Sequence, residues 1–264
     1  MNTPKSPLQA FVMSCLVAGW GLVYVGRVKW ALRVAGLLYA GIVLLGICGL
    51  ITTPSGLYVA FIFILLIKLS SATVAAMLAR KADSVSTVPS KRFHVFYVVS
   101  LVVVTLVLLG PLRASLLGFR TYYIPSGSMV PTLSIGDYII SATRIGTPQV
   151  GDIVVYHYNG TEAVKRVAGV AGDTLSIVEG NLIRNGENLG LFFAPKDRVT
   201  RDYSLQLAPL VVEPGHVYLL GDNRDNSNDS RFMGQLAIDD ISGKVTGIWF
   251  SNVLSRIGMN LNPR

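Results

Sequence analysis

The spacing of hydrophobic positions along this 264-residue chain changes near residue 120. Before that point, three long and nearly unbroken apolar stretches occupy about 31–51, 55–79 and 94–113. Each approaches or exceeds the roughly 20 residues that a helix needs to cross the hydrocarbon core of a bilayer. The first half of the chain therefore predicts three transmembrane helices.

A fourth apolar stretch, at about 8–26, contains Gly19, Gly21 and Gly26. It has two interpretations, since it either spans the bilayer or forms a short interfacial or re-entrant segment. The choice changes only the side of the membrane on which the N-terminus lies. A cleavable signal peptide is not favoured, because Lys5 is the only basic residue before this stretch and more apolar stretches follow it.

From Tyr122 onward the apolar runs are short and alternate with turn signals such as Gly-Asp and Asn-Gly. This pattern predicts short antiparallel strands joined by tight turns. We therefore expect residues 1–120 to form a membrane anchor and residues 121–264 to form a mostly antiparallel β domain, large enough for one buried core. The predicted strands include 138–140, 153–156, 174–178, 182–183 and 217–220.

Composition agrees with a membrane protein. Charged residues make up 14% of the chain, against about 25% in ordinary soluble domains. The net charge of +8 would by itself suggest a nucleic-acid partner. However, residues 1–120 hold 11 Lys and Arg and one acidic residue, whereas residues 121–264 hold 12 Lys and Arg and 14 acidic residues. The positive charge thus belongs to the apolar half, and no basic domain for nucleic acid is predicted.

The orientation follows from where the basic residues lie. Cytoplasmic loops of membrane proteins are enriched in Lys and Arg, and here these residues cluster at 27–30 and 80–93, while the connection at 52–55 has none. We expect the two basic segments in the cytoplasm and residues from 114 onward on the other side. Lys68 lies within the second stretch, where a charge costs roughly 3 kcal/mol. Lys68 has a functional interpretation, as a buried contact or part of a pathway, and a local one, in which its ammonium reaches the interface or the span is shifted along the chain.

Three segments of the second half carry candidate chemistry. IPSGSMVPTL, residues 124–133, holds two serines between prolines that restrict the backbone. VKRVAG, residues 164–169, puts Lys165 into an apolar strand, where burial lowers the pKa of an amine so that it can accept a proton. GDNRDNSNDSR, residues 221–231, alternates acids with arginines in a pattern that does not fit a calcium loop.

Each segment also has an ordinary interpretation: a Ser/Gly/Pro loop, a solvated strand lysine and a polar loop. Three histidines are present, His94, His157 and His216, and a Ser-His-Asp triad using one of them is less favoured than a serine–lysine pair. The two cysteines, Cys15 and Cys48, lie in apolar stretches. They predict neither a disulfide framework nor a metal site.

Together, and in this order after a membrane anchor, the three segments resemble type I signal peptidases (leader peptidases), which are serine–lysine peptidases with an all-β catalytic fold. The resemblance covers most of residues 121–250. It implies that Ser128 is the nucleophile and Lys165 the general base. It also implies that Ser126 and the backbone N–H of Ser128 form the oxyanion hole, and that Ser227 hydrogen-bonds and orients the lysine.

The resemblance further implies supporting residues. A polar network near the site would contain Asp222, Arg224, Asp229 and Arg231. Shallow pockets for small substrate side chains would involve Ile124, Pro125, Met129, Leu133 and Val164. One departure is Ala171, which stands where the family usually has proline in the turn at 169–173. The turn loses a φ restraint, but no catalytic group is affected.

The implied function is that of a multi-pass serine endopeptidase of the bacterial inner (cytoplasmic) membrane, with its catalytic domain on the extracytoplasmic side. It would remove N-terminal signal peptides from exported preproteins without cofactor or metal. Its partners would be those signal peptides, the lipid bilayer and, as a candidate, the secretion translocon. Two alternatives remain: a serine–lysine processing peptidase dedicated to a specialised substrate, and a non-catalytic membrane receptor or scaffold with a peptidase-like domain.

Overall fold

A computed structural model describes residues 5–81 and 89–261. The chain divides into two compact units, one of residues 1–51 and 55–118 and the other of residues 52–54 and 119–264. Apolar helices make up the first unit, and an antiparallel β domain makes up the second, as the hydrophobic spacing predicts. Part of the predicted cytoplasmic loop, residues 82–88, lies outside the described residues.

Among the described residues, the first unit contains five α-helices: α1 Pro7–Leu16, α2 Trp20–Tyr24, α3 Val28–Ile47, α4 Pro54–Arg80 and α5 Lys91–Leu109. The last three are long and apolar enough to cross a membrane. They cover the three predicted stretches with shifted ends. Helix α3 ends early because Gly49 adopts a left-handed backbone with φ +70°. Helix α5 ends at Leu109 because the following Gly110 precedes a proline.

The apolar stretch at 8–26 folds as the short helices α1 and α2 with a turn between them. Ten helical residues rise about 15 Å, roughly half of the hydrocarbon thickness, so α1 is too short to cross it. Gly19 supplies a left-handed φ of +75° at the turn. A Cβ at Gly21 would collide with the carbonyl oxygen of Ala10, so glycine permits the close packing of the two helices. This geometry favours the interfacial or re-entrant interpretation.

Side chains of α4 and α5 bind the carbonyl groups at this turn. The Nζ of Lys68 donates to the carbonyl oxygen of Leu16 at 3.1 Å. The hydroxyl of Tyr97 donates to the carbonyl oxygen of Ala18 at 2.8 Å. In hydrocarbon, an unpaired backbone group costs several kcal/mol. Lys68 therefore makes a stabilising contact with the backbone of the first unit.

The described residues of the second unit form two sheets in which neighbouring strands are antiparallel. Two short helices, α6 Asp202–Leu205 and α7 Ser230–Met233, complete the unit. The strands are β1 Phe119–Tyr123, β2 Tyr138–Ala142, β3 Ile153–Tyr158, β4 Thr161–Val170, β5 Thr174–Val178, β6 Asn181–Arg184, β7 Glu187–Asn188, β8 Leu207–Val211, β9 His216–Leu220, β10 Leu236–Ala237 and β11 Ile241–Phe250. The larger sheet has the order β1-β2-β11-β3-β4-β9-β10, and the smaller has the order β7-β6-β5-β8.

Strand β4 carries the second motif into the interior of the larger sheet. It lies between β3 and β9; its first two residues are exposed, whereas residues 165–169 are buried. Lys165 pairs with Val154, and Arg166 pairs with Ile153. Because successive strand residues point to opposite faces, Lys165 and Arg166 reach different surroundings.

Three turns of the second unit are built in the same way. Each ends in Gly-Asp, with the glycine at a φ between +88° and +95°. The N–H of the aspartate donates to the carbonyl three residues earlier, and the aspartate side chain accepts from the N–H of that same earlier residue. Glycine at the third position of a turn is what a type II turn requires. The turns lie at 134–137, 149–152 and 170–173, and the last one forms with Ala171 in place of proline.

Candidate active site

Ser128 and Lys165 meet in the second unit although 37 positions separate them. The Nζ of Lys165 donates to the Oγ of Ser128 at 2.9 Å. Ser128 lies in the irregular segment after β1, whereas Lys165 lies in the middle of β4. At this distance a neutral amine is able to accept the proton of the hydroxyl directly.

The surroundings of Lys165 favour the neutral amine. Its exposed fraction is 5%. Burial lowers the pKa of Lys165 below its ordinary value, because the ammonium loses its water, and the carboxylates of Asp229 and Asp222 offset part of this effect. The second hydrogen bond of Nζ goes to the carbonyl oxygen of Val164 at 3.0 Å. The lysine is thus held as a buried base beside a hydroxyl.

The segment around Ser128 offers further hydrogen-bond donors. The hydroxyl oxygens of Ser126 and Ser128 are 3.4 Å apart. In the described part of the chain, the backbone N–H of Ser128 donates to no other group. The hydroxyl of Ser126 therefore lies beside that of Ser128, and the N–H of Ser128 is available to a ligand.

The predicted hydrogen bond between Ser227 and Lys165 is not formed in this structure. Ser227 is 7% exposed, and its hydroxyl has no hydrogen-bond partner among the described residues. The Nζ of Lys165 donates to Ser128 and Val164 instead. The orienting role of Ser227 stays a prediction.

Gly221 brings the third motif against the serine segment. A Cβ at this position would lie 2.7 Å from the carbonyl oxygen of Ser128 and would collide with the side chain of Ser227. Such contacts are too short for any side chain, so glycine is required for the close approach. The sequence signal for it is a glycine placed directly after the apolar strand β9.

Charged residues around the dyad form two bidentate ion pairs. Arg166 donates to both oxygens of Asp222 at 2.9 and 2.7 Å, and Arg231 donates to both oxygens of Asp229 at 2.8 and 2.9 Å. No side chain of these four is more than 5% exposed. Buried pairs of this kind need such complete hydrogen bonding to be stable. Three of the four predicted network residues thus take part in buried ion pairs, and Arg166 is the partner that sequence reasoning missed.

Arg224, the fourth predicted network residue, binds backbone carbonyl groups instead. Its Nη2 donates to the carbonyl oxygens of Leu191 and Phe192 at 3.1 and 2.9 Å. Burial lowers the pKa of Arg224 to about 10. The loop that it holds is strained, because Phe192 and Phe193 adopt left-handed φ values of +47° and +64°. The ring of Phe193 also lies 3.8 Å from the guanidinium carbon of Arg166.

A cleft of about 140 Å³ adjoins the dyad. Four of the five predicted pocket residues line it: Ile124, Pro125, Met129 and Val164. Leu133 does not line it. Leu133 has no exposed surface and packs in the core, because the backbone turns inward where the N–H of Leu133 donates to the carbonyl of Met129. Its side chain packs in one hydrophobic cluster with Ile124 and Met129, which do line the cleft.

The cleft contains further residues that sequence reasoning does not single out: Tyr122, Tyr123, Val155, Glu162 and Ala163. The carboxylate of Glu162 accepts from the Nη1 of Arg120 at 3.4 Å and from the hydroxyl of Tyr122 at 3.3 Å. Both walls are extended segments, one continuing from β1 and one from the start of β4. This shape suits an extended peptide.

Among the described residues, no histidine contacts Ser128. The Nδ1 of His157 is 3.8 Å from the carboxylate of Glu162, and the Nδ1 of His216 is 3.0 Å from the carbonyl oxygen of Pro214. A Ser-His-Asp triad is therefore not assembled here.

Comparison with known proteins finds a matching family and similar relatives. The family described as signal peptidase, peptidase S26, matches residues 95–250. Signal peptidase I of Leptolyngbya laminosa is 34% identical over 163 residues, which cover 54% of this chain and 77% of that protein. Signal peptidase I of Pseudomonas aeruginosa is 31% identical over 182 residues, which cover 49% of this chain and 64% of that protein, or less than two thirds of its length.

One solved structure is also similar in sequence. A signal peptidase I from Enterococcus faecalis has 29% identical residues, with a match that covers 39% of this chain and 99% of that one. The TM-score is 0.35, which is too low to carry an argument about the fold.

Proposed function

This chain belongs to the signal peptidase family, peptidase S26, and we propose on that basis that it is a membrane-bound serine endopeptidase that removes N-terminal signal peptides from exported preproteins. One observation carries the proposal: the 2.9 Å hydrogen bond between the Nζ of Lys165 and the Oγ of Ser128. The burial of the lysine, which lowers its pKa, supports a base that is neutral when it acts.

In the proposed acylation, neutral Lys165 accepts the hydroxyl proton of Ser128 while the serine oxygen attacks the scissile carbonyl carbon. A new C–O bond forms, and the carbonyl π electrons move to the oxygen. The N–H of Ser128 and the hydroxyl of Ser126 stabilise the resulting oxyanion. The protonated Lys165 then gives its proton to the leaving amine as the C–N bond breaks, which releases the mature protein and leaves an acyl-enzyme.

In the proposed deacylation, Lys165 takes a proton from a water molecule, which attacks the ester carbonyl. The ester C–O bond breaks, and the proton held by Lys165 returns to the oxygen of Ser128. The signal peptide leaves with a new carboxylate. One lysine thus serves as base and acid in both halves of the reaction.

The cleft supports a substrate with small side chains near the cleavage point. Its volume is about 140 Å³, and apolar side chains of Ile124, Met129 and Val164 line it beside the dyad. The extended walls suit main-chain hydrogen bonds to a peptide strand. We assign the small apolar residues before the cleavage point of a signal peptide to this cleft.

Family membership and the apolar helices indicate membrane association. The proposed topology has α3, α4 and α5 crossing a bacterial inner membrane, with 27–30 and 80–93 in the cytoplasm and the β domain outside. Residues 52–54, which connect α3 to α4, cluster with the β domain, where Thr246 donates to the carbonyl of Thr52. This supports an extracytoplasmic position for both. The translocon, as the source of preproteins, is the candidate protein partner.

The topology is tested by labelling single cysteines in a variant whose two native cysteines are replaced by serine. Because α1 is too short to cross, Lys5→Cys and Lys29→Cys should react with a membrane-impermeant maleimide only from the cytoplasmic side. A cysteine at exposed Ser255 should react only from the opposite side. Labelling of Lys5→Cys from the side of Ser255→Cys would show instead that the stretch at 8–26 spans the bilayer.

The function is tested by incubating the purified full chain with a model preprotein and sequencing the N-terminus of the product. Ser128→Ala and Lys165→Ala should each lower the cleavage rate by at least about 10³-fold while the β domain stays folded by circular dichroism. Exposed residues of the same types provide matched controls, Ser255→Ala and Lys196→Ala, which should cleave normally.

Three outcomes separate the alternatives. Retained cleavage by Ser128→Ala or Lys165→Ala would refute the proposed dyad. An unaltered protein that neither cleaves nor reacts with a serine-acylating probe would favour the receptor or scaffold alternative. Cleavage restricted to one specialised preprotein would favour the dedicated processing peptidase.

A further inference from the structure

Asn223 forms two hydrogen bonds with the backbone of the serine segment. Its side-chain Nδ2 donates to the carbonyl oxygen of Gly127 at 2.9 Å, and its backbone N–H donates to the carbonyl oxygen of Ser128 at 3.0 Å. Asn223 is 4% exposed. Two consecutive carbonyl groups of the serine segment are therefore held by one buried residue of the third motif.

The bond to Gly127 sets the direction of a donor that the proposed reaction uses. The carbonyl of Gly127 and the N–H of Ser128 belong to one planar peptide group, and in a trans peptide they point in opposite directions. Fixing the carbonyl therefore fixes the N–H. Gly127 has no Cβ to restrict rotation of this peptide group. The only other donor to its carbonyl among the described residues is the N–H of Val130, at 3.2 Å.

The bond to the carbonyl of Ser128 fixes the next peptide group along the chain. Both peptide groups that flank the Cα of Ser128 are thus held by Asn223. The direction of the Cα–Cβ bond follows from these two groups, so the same contacts keep the hydroxyl of Ser128 beside Lys165.

The side chain of Asn223 is not explained by packing alone. Its Oδ1 has no hydrogen-bond partner among the described residues, which costs stability in a buried amide. Exchanging the amide oxygen and nitrogen would place an oxygen against the carbonyl of Gly127, so the donor has to face that carbonyl. A polar group retained at a cost to the fold is typical of functional sites.

Resting on the proposed function, we infer that Asn223 is a positioning residue that holds the Gly127–Ser128 peptide so that the N–H of Ser128 faces the oxyanion. It does not touch the substrate. It acts through the direction of one N–H group, which is the donor that stabilises negative charge in the transition state.

Two variants test this inference in the full chain. Asn223→Ala removes the side chain, and Asn223→Asp keeps its shape but has no N–H to donate to Gly127. We expect kcat to fall by about 10- to 100-fold in both variants and KM to stay within about twofold. This decrease in kcat is at most about as large as the decrease caused by removing an oxyanion donor completely. Asn228→Ala, at an exposed asparagine of the same loop, is the matched control and should be unchanged.

Binding of two inhibitors separates positioning from general damage to the site. A peptide boronic acid forms a tetrahedral adduct with Ser128 and needs the oxyanion donors. A peptide with a reduced scissile bond has no carbonyl oxygen there and does not need them. We expect the affinity for the boronic acid to fall by the same factor as kcat/KM, while the affinity for the reduced peptide stays within about twofold.

The inference is overturned if kcat of Asn223→Asp stays within about threefold of the unaltered enzyme, or if both inhibitors lose affinity equally. If Asn223→Ala fails to fold by circular dichroism, Asn223→Asp decides. A failure of the proposed function is distinguishable, because the unaltered protein and Asn228→Ala would then not cleave a preprotein either; that result would overturn the inference as well.

Discussion

Lys68 and Lys165 both lie in apolar surroundings, one in each unit, and they contact different kinds of oxygen. The Nζ of Lys68 donates to the carbonyl of Leu16 at 3.1 Å, whereas the Nζ of Lys165 donates to the hydroxyl of Ser128 at 2.9 Å. A carbonyl oxygen only accepts, but a hydroxyl also carries a proton that an amine is able to take. An apolar environment is therefore not enough to make a lysine a base; its partner decides what it does.

The pH dependence of cleavage gives the strongest test of this difference between Lys68 and Lys165. Because Lys165 has to be neutral to accept a proton, kcat/KM should fall about tenfold for each pH unit below its pKa. Burial lowers that pKa from 10.5, so activity is lost as the pH falls through a value below 10.5 and is retained above it. The measurement is kcat/KM over the pH range in which the protein stays folded.

Lys68→Met provides the comparison for this profile. Lys68 contacts the backbone carbonyl of Leu16 within the first unit and not the dyad of the second unit, so its replacement should leave the acidic limb of the profile in place. An acidic limb that moves in Lys68→Met would show that the two lysines do not have separate roles.

Thermal stability gives a smaller effect, with opposite signs for the two lysines. Lys165→Met removes an amine whose charged form is disfavoured by burial, and we expect a rise in Tm of about 2–4 °C near neutral pH, corresponding to roughly 1 kcal/mol. Lys68→Met leaves the carbonyl of Leu16 without its donor, and we expect a fall in Tm of similar size. Unfolding followed by circular dichroism in detergent measures both.

The sign of the first effect depends on pH. Since the folded-state pKa of Lys165 lies below 10.5, the unfolded chain binds more protons between these two values. The stability of the unaltered protein therefore rises with pH across that window, and the advantage of Lys165→Met should shrink there. A variant that loses stability at every pH would contradict the assignment of Lys165 as a costly buried amine.

Much of the second unit can be predicted from local pattern. The strand at 174–178 has the predicted bounds, and strands near 138, 153 and 217 differ from prediction by one to two residues at their ends. Alternating apolar positions and Gly-Asp turns are local signals, so they can be recognised in the sequence without knowledge of the fold. The resemblance implies the pair of Ser128 and Lys165, and the structure brings the two side chains within hydrogen-bond distance.

Contacts between distant segments could not be predicted in this way. Asn223 binds a carbonyl 96 positions earlier in the chain, so no local pattern marks it. The resemblance implies Leu133 as a pocket residue, but a motif match does not reveal that its side chain packs in the core. The interpretation of 8–26 stayed open for the same reason, since Lys68 and Tyr97 bind its turn from 52 and 79 positions away.

The three Gly-Asp turns have a consequence for which side chains face inward. Strands β2, β3 and β5 each start at the residue that directly follows the aspartate of such a turn. Because strand side chains alternate, a shift of one residue would exchange the two faces of a strand. Each turn therefore determines which residues of the following strand face inward. The turn at 149–152 determines which residues of β3 face inward. Lys165 pairs with the second residue of that strand, Val154. The inward direction of the Lys165 amine thus depends on Gly151 and Asp152, which lie fourteen and thirteen positions before it in the chain.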